Sequence, residues 1–123
     1  GLGTKTVLCT YFQDISGLAP EFYRLPFEVF GLDFAWGPAN FQLLDGFPAD
    51  KELAMGLLDA RNTRMESVEE IVEAVRRATA HVSLDRIALS PSCGLDFLPR
   101  WLESALVGRR LRWRDRLVRN SVL

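Results

Sequence analysis

Leu53-Ala54-Met55-Gly56-Leu57-Leu58-Asp59, then the run from Ser67 to Ala78, then Arg86-Ile87-Ala88-Leu89-Ser90 form the stretch that decides the fold. The first and third runs are short and apolar without strict alternation. That is the pattern of strands buried on both faces of a parallel sheet. Between them, Val68, Ile71, Val72, Val75 and Ala78 recur at helical spacing and make one apolar stripe. Glu69, Glu70, Glu73, Arg76 and Arg77 cover the opposite face. Ser67 and Glu70 stand at the spacing of a capping box, in which each side chain satisfies the other's free backbone amide. Acids come early in the helix and arginines late, which complements its dipole. Strand, helix, strand in this order is a βαβ unit.

Working outward, two more apolar runs precede this unit, at residues 6–12 and 29–34. Weaker helices are expected at 20–24, 38–44 and 98–105. Four strands with helices between them define an α/β chain. Right-handed connections then give either an open doubly wound sheet or part of a barrel. No GxGxxG or GxxxxGK[ST] follows a strand, and Gly1-Leu2-Gly3 lies on the wrong side of the first one. The usual nucleotide-binding open sheets therefore lose support. The expected fold is four βα units of a parallel (β/α)8, TIM-type barrel. Such a barrel typically takes about 250 residues, and this chain has 123. The expectation is a half barrel: a single partial domain over residues 1–123, with a basic amphipathic segment at 100–123.

Composition limits the function classes. Net charge is −1, so the whole chain carries no field that would draw nucleic acid or an anionic membrane. No apolar run reaches the roughly 20 residues that span a bilayer, and no signal peptide is read at the start. Two cysteines, Cys9 and Cys93, are too few for a disulfide framework. A reducing, cytoplasmic setting is expected. The first residue is Gly rather than Met, which reads as a processed or excised piece.

Polar residues gather where each strand ends. The first strand delivers Thr10, Tyr11, Gln13 and Asp14, the second Asp33 and Trp36, the third Asp59, Arg61 and Asn62, and the fourth Ser90, Ser92 and Cys93. In a βα barrel the active site is built at this face, from several strands. Asp, Asn and Ser after a strand are also ordinary loop and capping residues. Asp33 and Asp59 stand out because each follows an apolar strand directly. Asp59, Arg61 and Asn62 suit a carboxylate-bearing ligand, through a bidentate arginine and amide hydrogen bonds. The alternative is an Asp59–Arg61 ion pair that orders the loop.

Thr10-Tyr11-Phe12-Gln13-Asp14, Leu25 to Phe34, Gly56-Leu57-Leu58-Asp59-Ala60-Arg61-Asn62 and Pro91-Ser92-Cys93-Gly94-Leu95 resemble, in order and spacing, the cobalamin-independent methionine synthase family. The likeness is to the second half of one barrel, closest to the N-terminal-type domain. The resemblance implies methyl transfer from a folate-type donor to the homocysteine thiol. It also implies zinc, held by a His-x-Cys pair, a Glu and a late Cys. Cys93 aligns with the late ligand and Asp33 with the Glu. The His-x-Cys pair falls at Thr6 and Leu8, and Cys9 is one residue off, so the zinc set is incomplete in this chain. Cys93 read as a buried, inert thiol is the plain alternative. The expected substrate-binding residues are Asp33, Asp59, Arg61 and Asn62. The expected partners are homocysteine or a folate-type molecule and a second half barrel, either another copy or another chain. The alternative function is a non-catalytic binding or assembly module derived from the family.

Two features fall outside the resemblance. His81, the one histidine, reads as a helix-end surface residue. Arg109, Arg110, Arg112, Arg114, Arg116 and Arg119 crowd the tail, interleaved with Trp101, Leu106, Leu111, Trp113, Leu117 and Val118. The tail reads as an amphipathic helix with its arginines in solvent. Nucleic-acid binding through it is the less favoured reading.

Overall fold

A computed structural model describes residues 3–95 and Leu98. Four strands, β1 (Val7–Cys9), β2 (Val29–Asp33), β3 (Glu52–Leu58) and β4 (Ile87–Pro91), form one sheet in the order β1-β2-β3-β4. Every neighbouring pair is parallel. The apolar runs become strands within a residue or two of their expected ends, except the first, which is cut to three residues. Phe12, in the run expected to continue that strand, has φ 71°. That left-handed conformation is uncommon for any residue but glycine and does not extend a strand.

Helix α1 (Val68–Ala78) joins β3 to β4 and carries the expected capping box: the Glu70 N–H donates to Ser67 Oγ at 3.1 Å, and the Ser67 N–H to Glu70 Oε2 at 2.7 Å. Ser67→Ala will lower stability by about 1 kcal/mol, the usual worth of such a cap. Urea unfolding followed by circular dichroism reads this, and an unchanged midpoint would show that tertiary packing alone fixes the helix start. The other described connections are 3-10 turns, at Ser16–Leu18, Glu21–Arg24, Pro38–Gly46 and Leu84–Arg86. The α-helices expected at 20–24 and 38–44 are therefore tighter and irregular. Proline or glycine at their starts, and no sustained 3.6-residue stripe, leave α geometry with little support. The expected helix at 98–105 and the basic segment at 100–123 lie outside the described residues, Leu98 apart.

The two sheet faces differ. Leu8, Phe30, Leu32, Leu53, Met55, Leu57, Ile87 and Leu89 point to one side and pack with Phe22, Tyr23, Leu44, Ile71 and Val75 in one core. Phe30 is wholly buried, its ring centroid 4.9 Å from Phe22 and 5.5 Å from Tyr23. Burial pushes the Tyr23 hydroxyl up to about 12. It stays protonated at neutral pH and donates to Leu43 O at 3.0 Å. On the opposite face the strand register aligns Cys9, Gly31, Ala54 and Ala88 in one row, and Asp33, Gly56 and Ser90 in a second. These are small side chains apart from Asp33, which stands at the C-terminal end of β2.

Candidate functional site at the strand mouths

Asp33 organises the C-terminal ends of the first two strands. Its side chain is 1% exposed. Oδ2 accepts the Phe12 N–H at 3.0 Å and Oδ1 the Trp36 N–H at 2.9 Å. Its carbonyl accepts Asn40 Nδ2 at 2.7 Å. Burial pushes the Asp33 carboxyl up from its ordinary value; the backbone N–H groups of Trp36, Phe12 and Ala35 pull it down without cancelling that. Asp33 thus ties two loops to one strand end, with both carboxylate oxygens engaged by backbone.

Asn40 is the residue that motif reading missed. It is fully buried. Its Oδ1 accepts the Ile15 N–H at 2.8 Å, while Nδ2 also reaches Gln13 O at 3.3 Å. The loop after β1 therefore lies flat against the turn after β2. Gly37 permits this approach, since a Cβ there would sit 2.7 Å from Asp14 N and from the Gln13 carbonyl carbon. The only local signal is an Asn in a Gly-Pro-led turn, and its partners in the first loop, Ile15 and Gln13, are more than twenty residues away in sequence.

These ties present an aromatic platform. Phe12 and Trp36 are 45% and 49% exposed, large for rings in a folded chain. The Arg61 guanidinium lies over both, 4.8 Å from the Phe12 centroid and 4.3 Å from the Trp36 ring. Both distances are within cation–π range. Asp59 fixes the indole: its Oδ1 accepts Trp36 Nε1–H at 2.9 Å and the Arg61 backbone N–H at 3.0 Å. The Asp59 N–H in turn donates to Glu66 Oε1 at 3.0 Å.

Of the expected site residues, Asp33, Asp59 and Arg61 are brought together through Phe12 and Trp36. The Asp59–Arg61 ion pair does not form among the described residues; the guanidinium stacks on rings instead. Asn62 is exposed, and its Oδ1 accepts the Arg64 N–H at 3.0 Å, which orders its own loop. His81 is exposed at the end of α1, with Nδ1 3.3 Å from Asp45 Oδ1. Cys93 is buried in a small cluster with Ala60 and Leu98, its Sγ 3.5 Å from Gly94 O. Ser92 is buried beside it and its Oγ accepts the Ala60 N–H at 3.2 Å.

Zinc does not fit this donor set. No three His, Cys, Asp or Glu side chains gather as a ligand group among the described residues. The Asp33 oxygens already accept backbone N–H groups, and Leu8, at one of the aligned ligand positions, packs in the core. Cys9 is exposed on the opposite side of β1 from Leu8, as the period of a strand requires. Nor is any helix of the described residues long and apolar enough to cross a membrane.

Comparison with known proteins gives concordant findings. The family model described as "Cobalamin-independent synthase, Catalytic domain" matches residues 5–107. A 5-methyltetrahydropteroyltriglutamate–homocysteine methyltransferase of Halalkalibacterium halodurans is 41% identical over 95 residues, which are 75% of this chain and 12% of that protein. A methionine synthase of Pyrococcus furiosus is 32% identical over 102 residues, 81% of this chain and 30% of that one. Among solved structures, a B12-independent methionine synthase from Shewanella sp. W3-18-1, in complex with selenomethionine, superposes with a TM-score of 0.78 at 18% identity. It covers 99% of this chain and 40% of its own. The chain therefore spans a minor part of each of these relatives. With the four parallel strands, the superposition identifies a partial α/β barrel.

Proposed function

We propose, from the premise that this chain belongs to the cobalamin-independent methionine synthase family, that it supplies one strand-mouth face of a barrel that methylates the homocysteine thiol from a folate-type donor. The supporting observation is that the Asp33–Trp36–Asp59–Arg61 cluster lies wholly inside the family match and at the face where βα barrels build their sites. Asp59 and Arg61 contact substrate in this reading, Asn62 orders their loop, and Asp33 positions the two loops beside them. The thiol-activating groups belong to a complementing half barrel, because the described residues offer no zinc ligand set. The same complement covers the edges of β1 and β4, which pair with no further strand among the described residues and as parallel edges invite pairing.

The test mixes the purified chain with a complementing half barrel taken from a relative and measures methionine formed from homocysteine and methylated folate. Turnover is expected for the assembly and not for the chain alone. Turnover by the isolated chain would overturn the need for a complement. A folded assembly without turnover would overturn methyl transfer and leave a non-catalytic binding module.

A further inference from the structure

We infer that Arg61, stacked across Phe12 and Trp36, is a preformed receptor for a ligand carboxylate, which rests on reading the strand mouth as the substrate face. The Arg61 Cζ lies over both rings and the residue is exposed, so the N–H edge of its guanidinium is the part a ligand can reach. That edge is a planar fork whose spacing matches two carboxylate oxygens. No carboxylate of the described residues is paired with it, although Asp59 is two positions away. Asp59 Oδ1 is instead committed to the Trp36 indole and the Arg61 backbone N–H. The loop is thus built so that its own acid secures the platform and does not neutralise the cation.

The platform is fixed before any ligand arrives. Asp33 holds the Phe12 and Trp36 backbones, and Asp59 holds the indole. Phe12 adopts its left-handed φ while donating to Asp33. A strained non-glycine backbone held by a buried carboxylate is a feature that concentrates at ligand sites. Ordering the receptor in advance lowers the entropy lost on binding. Charge selects the anion class. Asp33 and Asp59 both accept hydrogen bonds from Trp36, over whose ring the one Arg61 guanidinium lies. Two acids beside one cation favour the anion of lower charge, so a monoanionic carboxylate is repelled less than a dianionic phosphate.

The test is a titration of the full chain with sodium butyrate at constant ionic strength, following the Arg61 Nε–H and Trp36 indole N–H resonances. Both are expected to move together and saturate. Arg61→Lys keeps the charge and loses the fork, and its affinity is expected to fall roughly tenfold or more. The residue is exposed, so the variant should melt as the parent does. Equal affinity in Arg61→Lys, or shifts that grow without saturating, would overturn the receptor. Phosphate binding as tight as butyrate binding would overturn the carboxylate assignment. If the complemented barrel fails to make methionine while butyrate still binds through Arg61, the proposed function fails and the receptor stands. The reverse pair of results removes the receptor alone.

Discussion

Phe30→Ala will lower the unfolding free energy by about 3–5 kcal/mol, the range for losing a buried aromatic ring. Phe30 has no exposed surface and sits at the centre of a ring cluster with Phe22, Tyr23 and Phe27, at 4.9, 5.5 and 6.5 Å. Phe22 and Tyr23 lie in a four-residue 3-10 turn, which has too few internal hydrogen bonds to hold itself. The turn stays in place because its rings pack on β2. Tyr23 extends the cluster to Phe47, at 5.2 Å, beyond the turn that follows β2. Removing the Phe30 ring leaves a cavity where these segments meet, and they have little other reason to order. Single domains are stable by only about 5–15 kcal/mol, so the variant should approach the threshold of folding at room temperature. Urea unfolding followed by circular dichroism measures this. A loss below about 1 kcal/mol, far under the usual aromatic-to-alanine cost, would show that the centre of the fold lies elsewhere.

The strands and α1 were legible because their signals are local. An apolar run, a capping box and an amphipathic stripe each act within a few residues, and each survives as a strand or a helix. The turns at Glu21–Arg24 and Pro38–Gly46 were legible as connections and not as 3-10 geometry, because they are set by tertiary packing of Phe22, Tyr23, Leu43 and Leu44. At the site, sequence order was enough to place Asp33, Asp59 and Arg61 at strand ends. It did not reveal that Arg61 lies on Phe12 and Trp36, since those rings arrive from two other loops. Nor did it reveal Asn40, whose partners Gln13 and Ile15 are far away in sequence. Motif reading treats a residue by its neighbours along the chain; loop-to-loop ties of this kind are written in no local pattern.

Asp33→Ala is the substitution that separates those ties from the rest of the fold. It removes the acceptors of the Phe12 and Trp36 N–H groups, and leaving a part-buried donor unpaired costs about 1–3 kcal/mol each. The loss should be paired with a local one: Phe12 has no reason to keep φ 71° without its acceptor, so the Arg61 resonance should broaden and butyrate binding should weaken in parallel with stability. Asp33→Asn keeps the shape and tests the charge. The parent carboxyl is raised by burial, so between its ordinary and raised values the folded state binds more protons than the unfolded one. Stability contributed by that site therefore falls as pH rises through this window and levels off above it. The amide of the Asp33→Asn variant does not titrate. The stability difference, parent minus Asp33→Asn, should thus grow as pH is lowered from neutral through the raised value, while the exposed Asp14, Glu28 and Glu70, common to both proteins, cancel. Chemical unfolding of the two proteins across mildly acidic pH reads the slope. A difference that shrinks on acidification would mean the Asp33 carboxylate is held by its N–H donors more strongly than burial penalises it, and that its charge, besides its shape, keeps the aromatic platform in place.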